Sequence, residues 1–497
     1  MAQITRPINF LSPDEMERIH RAAVRILEET GMRIDHEEAL ELLRAIGCRA
    51  DIDARRVWFP GDVTERCVKA MRDAYRDPER IPARMSVRYS HIRFRTEPPR
   101  IYPDFSVSAG GFCIFIYDLE GRRRRADIRD VRDALKLAHL LPNINFTGLP
   151  VSAQEIPAGL RPIQMAAELV KCTNKFGGIE VFDAWQVDYI SRIAEVVAGG
   201  AEALRRNPVL VGYGEARTPL CLDRNMADIM IAYIRRGLPQ TLDTMPCAGS
   251  TAPGTLAGTL AMGCAETLGG LILGHAVDPR AVIGVDIIPS HVNMRSAIFQ
   301  YSGFSRMPYL IGRVQMISHY YGCPSGVHGG KTDACVPGFQ VGADKAMSII
   351  LPVLAGAPGI GTVGHLENAV TFSPVQLVID DACCAGMRHL LREFVVDDDT
   401  LATDVVRERG PGGHFLDHDH TLAHWKNEMW FHKLFDCQPW AGAWAEELKT
   451  AEERAAQEVR RLLKQEAAPI LSPAQEEAID EIVAEASRHP AGREKTR

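Results

Sequence analysis

The sequence predicts an α/β chain built on a (β/α)8 TIM barrel, with a helical and hairpin extension ahead of the barrel and a helical arm behind it. Three observations predict it. Short apolar runs recur from about residue 144 at intervals of roughly 30 to 40 residues, the length of a strand, a helix and two loops. Between them lie segments whose apolar residues repeat at helical spacing. Such alternation implies parallel strands joined by right-handed crossovers. Seven units are legible, with strands near 144–149, 176–182, 209–214, 240–245, 281–287, 325–329 and 359–364. They suggest an eight-stranded barrel whose eighth strand the sequence does not place. A doubly wound open sheet competes, but its glycine fingerprint between a strand and a helix is missing from the early units.

Taken in order, the first ninety residues read as helical. Ser12, Pro13, Asp14 and Glu15 form a helix start: a capping hydroxyl, a proline in the first turn, and acids at the positive end. Further helices are expected at 37–45 and 60–77. Alternating stretches at 87–90 and 112–117 read as hairpin strands, with a turn at 118–121. Barrel helices are expected at 160–173, 184–198, 222–236, 255–276, 294–321, 342–354 and 374–391, and charged helices from 445 onward. The expected organisation is an N-terminal unit, 1–118, a barrel, 119–444, and an arm, 445–497.

Composition narrows the function. The chain has 497 residues, 46% of them hydrophobic and 24% charged, which is ordinary for a folded globular protein. With 57 basic and 64 acidic residues the net charge is -7, so a nucleic-acid partner is not expected. No run of about 18 apolar residues free of charge is seen, and the start lacks a secretory signal layout, so no membrane span is expected. The twelve cysteines are scattered with no CxxC pair, which reads as reduced thiols in a cytoplasmic protein.

In a barrel, function gathers where strands end. That rule selects Glu180, Tyr213, Glu215, 246–250, Asp286, 328–333 and 365–367. Each alone also reads as a loop brace; together they make an acidic ring without a basic cluster. Carboxylates and aromatic faces suit an organic cation, because a quaternary ammonium has no hydrogen to donate. Tyr102, Phe105, Phe112, Tyr213 and Tyr301 are the candidate aromatics, each equally at home in a core. The small-residue stretch 245–258 invites close approach by another body, with Thr251 the expected cap of the following helix. The glycines of 359–364 read as a strand at a crowded point, since GxxxxGK[ST] is absent. His414, His418, His420, His424 and His432 cluster in sequence, and His420 and His424 fall on one helix face. Without HExxH or CxxC, no metal is expected there. The four arginines 122–125 read as a solvated hairpin end, and Cys335 lacks the setting of a nucleophile.

Four segments carry a resemblance: STAPGTLAG at 250–258, HYYG at 319–322, GHLENAVTFSPVQLVIDD at 364–381, and GPGGHFL at 410–416. Through them the chain resembles the trimethylamine methyltransferase (MttB-type) family over about residues 8–485. It is similar to the non-pyrrolysine branch, which includes glycine betaine:corrinoid methyltransferases, because every residue is a standard one. The resemblance implies a (β/α)8 barrel that passes a methyl group from a methylated amine to the cobalt of a separate corrinoid protein. The corrinoid would belong to that partner, and the chain is expected to form a homo-oligomer. One segment departs from the family. Relatives read much like TDSK-x-PDAQAGYEK; here Thr332, Asp333, Pro337, Gln340, Gly342 and Lys345 persist while Ala334, Cys335 and Gly338 differ, which leaves the amine open. On this basis Glu215 and Glu367 are expected to balance a cation, Tyr213 and Phe105 to line it, and His328 to bond a substrate carboxylate. Gly249, Ser250 and Asp333 are expected to face the corrinoid. No catalytic residue is assigned. Direct transfer to tetrahydrofolate, a catalytically silent amine-binding protein, and a phosphate-handling barrel stay open as alternatives.

Overall fold

The N-terminal helix starts where its chemistry requires. Ser12 and Glu15 form a reciprocal capping box, and the helix runs Pro13–Arg25. In the computed structural model, which describes residues 7–77, 101–212, 214–435 and 449–493, helices Glu37–Ala45 and Gly61–Arg76 follow. The region also holds a small sheet that the sequence reading missed. Met32–Ile34, Arg49–Asp51 and Arg56–Trp58 pair antiparallel, and Cys221–Leu222 joins in parallel. These strands are three residues long or shorter, too brief for an alternation to register. The expected strand at 87–90 lies outside the described residues. Phe115–Tyr117 does form a hairpin with Arg123–Arg125.

The protein is a mixed α/β structure whose strands form several small sheets of two to four members. Parallel pairing dominates its centre. Ser106–Ala109 pairs with Phe146–Thr147 on one side and Gly359–Val363 on the other. Thr147 bridges Phe176, and Gly178–Ile179 pairs with Val211–Gly212. Gln240–Asp243 lies between Gly214–Glu215 and Ile283–Val285, and Val327 bridges Ile360. All seven strand positions read from the sequence therefore hold parallel-paired residues. The pairings do not run as one unbroken ladder: among the described residues no strand pairing joins Ile283–Val285 to Val327, and there Val285 N donates to Cys323 Sγ at 3.4 Å.

Helices Arg161–Cys172, Ala184–Ala198, Arg224–Arg235, Phe339–Leu354 and Pro374–Leu390 occupy the expected intervals. The expectation for 294–321 is corrected. Ser290–Asn293 and Ile298–Gln300 form an antiparallel hairpin, and the helix starts only at Met307, with a proline in its first turn. It then passes into a π-helical stretch, Val314–Tyr320. The longest helix, Leu256–Val277, is capped by Thr255, whereas Thr251 accepts from the Cys247 amide. By length and composition it could cross a membrane, but 83% of its most apolar window is buried inside the fold. It is apolar on every side because it is surrounded. Helices Pro13–Arg25, Glu37–Ala45 and Gly61–Arg76 pack against it, as do two central strands. Gly270 permits that approach: a β-carbon there would lie 2.4 Å from Leu242 Cβ.

At the C-terminal end, Ala451–Leu463 packs on Pro374–Leu390 and Ile128–Leu140, and Pro473–Ala486 packs on Arg161–Cys172 and Ala184–Ala198. Before them comes a different kind of segment. Helices Asp398–Leu401, Thr403–Arg409 and Asp419–Glu428 bury no residue at all.

Candidate active site

The parallel strands end around a cavity of about 410 Å³, within the range of small-molecule sites. Glycines leave the room. Gly148, Gly178, Gly212, Gly326 and Gly361 line it, so backbone rather than side chain forms much of the wall. Four acids enter from successive strands: Glu180 just after Gly178–Ile179, Glu215 from Gly214–Glu215, Asp243 from Gln240–Asp243, and Asp286 just after Ile283–Val285. Phe112, Phe146, His328 and Lys331 also line it, with the hydroxyl residues Ser108, Thr241, Ser325 and Thr362.

The acids differ in how they are held. Asp286 is buried and pinned by Arg313, and Ser325 Oγ donates to it at 2.6 Å. Arg313 also donates through Nε to the Ile287 carbonyl at 2.8 Å. This carboxylate is scaffold. Glu180 and Glu215 have no hydrogen-bond or ion-pair partner among the described residues. Burial, with Glu215 nearby, pushes Glu180 up to about 7. Burial also raises Glu215, and Lys331 works against that rise.

The ring is expected to lack a basic cluster; the lining does hold one lysine, Lys331, only 8% exposed. Its ammonium lies 4.7 Å from the centroid of the Tyr301 ring, and among the described residues no carboxylate lies within ion-pair distance of it. Burial pushes it down to about 8, and the Arg306 guanidinium adds to the effect. Arg306 is itself fully buried. It donates to the Tyr301 carbonyl, but its Nε and Nη2 find no partner. His328 Nδ1 is likewise unpartnered, and burial with Lys331 close by drives that imidazole well below its ordinary value, hence neutral. Among the described residues, Glu180 and Glu215 thus hold no bound cation and Lys331 no bound carboxylate.

A second layer fixes this arrangement. Lys345 is buried 2.5 Å from Asp380, which also accepts from the Gly364 amide and from Gln376 Nε2, each at 2.7 Å. His365 is wholly buried beside Gly111, where a β-carbon would meet the ring at 2.1 Å. None of the described cysteines is disulfide-bonded, and Cys323, which lines the cavity, is pushed up to about 12 by burial. It is a packing thiol.

The other expected site residues scatter. Phe105 is fully buried at the start of Ser106–Ala109, outside the cavity lining, with the Arg388 guanidinium 5.2 Å from its ring centroid. Tyr213 lies outside the described residues. Glu367 does not line the cavity either. It receives Arg123 Nε at 2.9 Å, Arg123 Nη2 at 3.1 Å and Thr371 Oγ1 at 2.5 Å. It opens a run of three left-handed residues, Glu367, Asn368 and Ala369, with φ of 49°, 55° and 66°, and Ala369 does reach the cavity. Asp333 accepts from the Tyr301 and Ser302 amides at 2.9 and 3.1 Å. Gly249 and Ser250 are exposed in a turn against Val292 and Met294. Met294 and, on the hairpin paired with Cys247–Ala248, Ile298 and Phe299 stand in solvent, and Phe304, Val336 and Phe339 are exposed as well. The sequence flagged 328–333 as a strand end but passed over Lys331, because a lysine in a loop ordinarily reads as solvated.

Comparison with known proteins now bears on this geometry. A family model described as trimethylamine methyltransferase (MTTB) matches residues 1–489. A glycine betaine methyltransferase of Desulfitobacterium hafniense is 29% identical over 477 residues, 95% of this chain and 96% of that protein. A trimethylamine methyltransferase MttB of the same species is 26% identical over 421 residues, covering 84% of this chain and 82% of its own. The MttB of Methanosarcina barkeri is 27% identical over 417 residues, covering 82% and 81%.

Proposed function

The chain belongs to the trimethylamine methyltransferase family, and on that premise we propose that it takes a methyl group from a betaine-type quaternary amine, such as glycine betaine, and delivers it to the cobalt of a partner corrinoid protein. One observation carries the choice of amine: the two partnerless carboxylates and the partnerless ammonium of one cavity. Glu180 and Glu215 meet the onium charge, and Lys331 meets the carboxylate of the same molecule. A simple cation would leave Lys331 unpaired in a buried site, at a cost of several kcal/mol. The glycine betaine methyltransferase among the relatives supports the same reading.

The parallel pairs support a (β/α)8 barrel in which Ser106–Ala109 supplies the strand between Gly359–Val363 and Phe146–Thr147. On this reading the barrel starts near residue 105 rather than 119, and the remaining units are the preceding helices and the C-terminal arm. The burial of Leu256–Val277 supports a cytoplasmic protein without a membrane span.

The chemistry asks little acid–base work of the chain. The carbon–nitrogen bond breaks with its electrons left on nitrogen, so the amine leaves neutral and needs no proton. Bound to its own protein, the corrinoid supplies a reduced, strongly nucleophilic cobalt. This chain's residues hold the amine, aim one methyl outward and exclude water. Two half-buried carboxylates, one near 7, suit a group that loses its charge as the bond breaks, because grip on the onium must not outlast it. The exposed Met294, Ile298 and Phe299 of the hairpin beside Gly249 are the surface we assign to the corrinoid partner. The remaining apolar exposures, among them Leu390, Phe394 and Leu416, fit coverage by another copy of the chain in a homo-oligomer.

The test is methylation of free cob(I)alamin, followed by its absorbance, across a panel of betaines, trimethylamine and tetramethylammonium. Methyl transfer from a betaine is the expected outcome. Transfer from trimethylamine alone, or none from any onium, overturns the proposal, and calorimetric binding without transfer identifies a silent binding protein.

A further inference from the structure

The arm between the central helices and the C-terminal pair has no core. Its three short helices bury nothing, and Leu401, Val406, Leu416 and Leu422 are each more than half exposed. Within one copy of the chain apolar packing does not tie these helices together, and a bound metal can do so in small elements that build no core.

The tie sits at one point. His420 and His424 occupy successive turns of Asp419–Glu428, and their rings lie 4.2 Å apart, tilted by 32°. Both reach back to Asp399 in the neighbouring helix Asp398–Leu401. His424 Nε2 is 3.2 Å from Asp399 Oδ2, and His420 Nε2 is 2.9 Å from the Asp399 carbonyl oxygen. One ligand-capable atom from each of the three residues lies within 4.8 Å of the others. Their neighbours in sequence are committed elsewhere. His414 pairs with Asp417, His418 Nδ1 accepts from the His420 amide at the helix start, and His432 stacks on Trp430.

We propose that Asp399, His420 and His424 bind one divalent transition-metal ion that clips Asp419–Glu428 to Asp398–Leu401. The donor set selects the ion. Two imidazoles and a carboxylate suit zinc, with water in the fourth place, whereas calcium and magnesium ask for an all-oxygen shell. Atoms bound at about 2.0–2.2 Å sit roughly 3.3 Å apart around a tetrahedral ion. These side chains are partly or fully exposed, so a small rotation of each closes the remaining gap. The site lies on the arm, apart from the cavity lining, and needs neither the methyl donor nor the corrinoid.

The experiment uses the untagged full-length protein, freed of metal by chelation, with zinc and cobalt(II) as probes. One equivalent of zinc should bind by calorimetry. Cobalt should show nitrogen–oxygen bands without thiolate charge transfer, which separates this site from the exposed thiols of Cys335 and Cys383. His424→Gln and Asp399→Asn should each weaken binding by at least the roughly 10–100-fold that follows loss even of an outer-shell partner. Hydrogen exchange across 398–428 should slow with zinc in the parent protein and not in either variant. Absence of a stoichiometric site, affinity unchanged in both variants, or a thiolate spectrum overturns the proposal.

Discussion

Two lysines buried in the same half of the chain behave in opposite ways. Lys345 is 3% exposed and bound to Asp380, whose remaining lone pairs take the Gly364 amide and Gln376. Lys331 is 8% exposed and lines a cavity, with the Tyr301 ring 4.7 Å away and no carboxylate bound to it among the described residues. A satisfied buried pair belongs to the architecture. An unsatisfied buried charge is unstable unless something else supplies its partner. The contrast separates scaffold from site without any reference to relatives, and Asp286 against Glu180 repeats it with the opposite sign.

The comparison can be broken most forcefully at the scaffold. Lys345→Met leaves Asp380 buried without its cation and should cost about 3–5 kcal/mol of stability by denaturant titration. Lys331→Met should cost nothing, or should stabilise, because it removes a charge that has no partner. Equal losses in the two variants would erase the distinction.

Ligand binding sharpens it next. Lys331→Met should weaken a betaine by about 2–3 kcal/mol in calorimetry, as truncating one side of a buried charge pair does. Tetramethylammonium, which has no anion, should bind the variant no worse than the parent. Glu215→Gln should show the complementary pattern, weakening both ligands by about 1–2 kcal/mol.

The pH profile is a finer probe. A zwitterion needs Glu180 ionised and Lys331 protonated. Betaine affinity should therefore rise as pH climbs through about 7 and fall as it climbs through about 8. For stability Glu180 acts with the other sign. Its folded value lies above the ordinary 4.5, so the folded chain holds that proton longer than the unfolded one does. Its contribution is complete below about 4.5 and is lost as pH rises to about 7. The smallest expected change is Arg123→Ala. It frees Glu367 on a partly exposed loop and should cost about 0.2–1 kcal/mol.

Much of this arrangement was legible in the residues. Strand and helix positions through the centre followed from periodicity, because the strands are short and apolar and helices such as Arg224–Arg235 keep one buried face. The stretch 294–321 failed, since its hairpin turns Ile298 and Phe299 outward and the apolar count imitated a helix. Glu215 was found by the strand-end rule and does line the cavity. Glu367 obeyed the same rule, yet the left-handed turn carries its carboxylate to Arg123, and no sequence pattern announces that turn. Lys331 was missed because burial of a lysine is a tertiary fact.

Helix Leu256–Val277 has a consequence for biosynthesis. As it leaves the ribosome, ahead of the strand Ile283–Val285 it will pack on, it offers the targeting machinery a mostly apolar 22-residue helix. Glu266, close to the middle, is the brake: a carboxylate there disfavours insertion into lipid by about 2.5–3.5 kcal/mol. The same side chain later accepts the Leu220 amide and the Thr244 hydroxyl in the folded interior. One residue therefore guards the sorting decision first and the packing afterwards. An insertion reporter carrying residues 256–277 should stay out of the bilayer with Glu266 and enter it with Glu266→Leu.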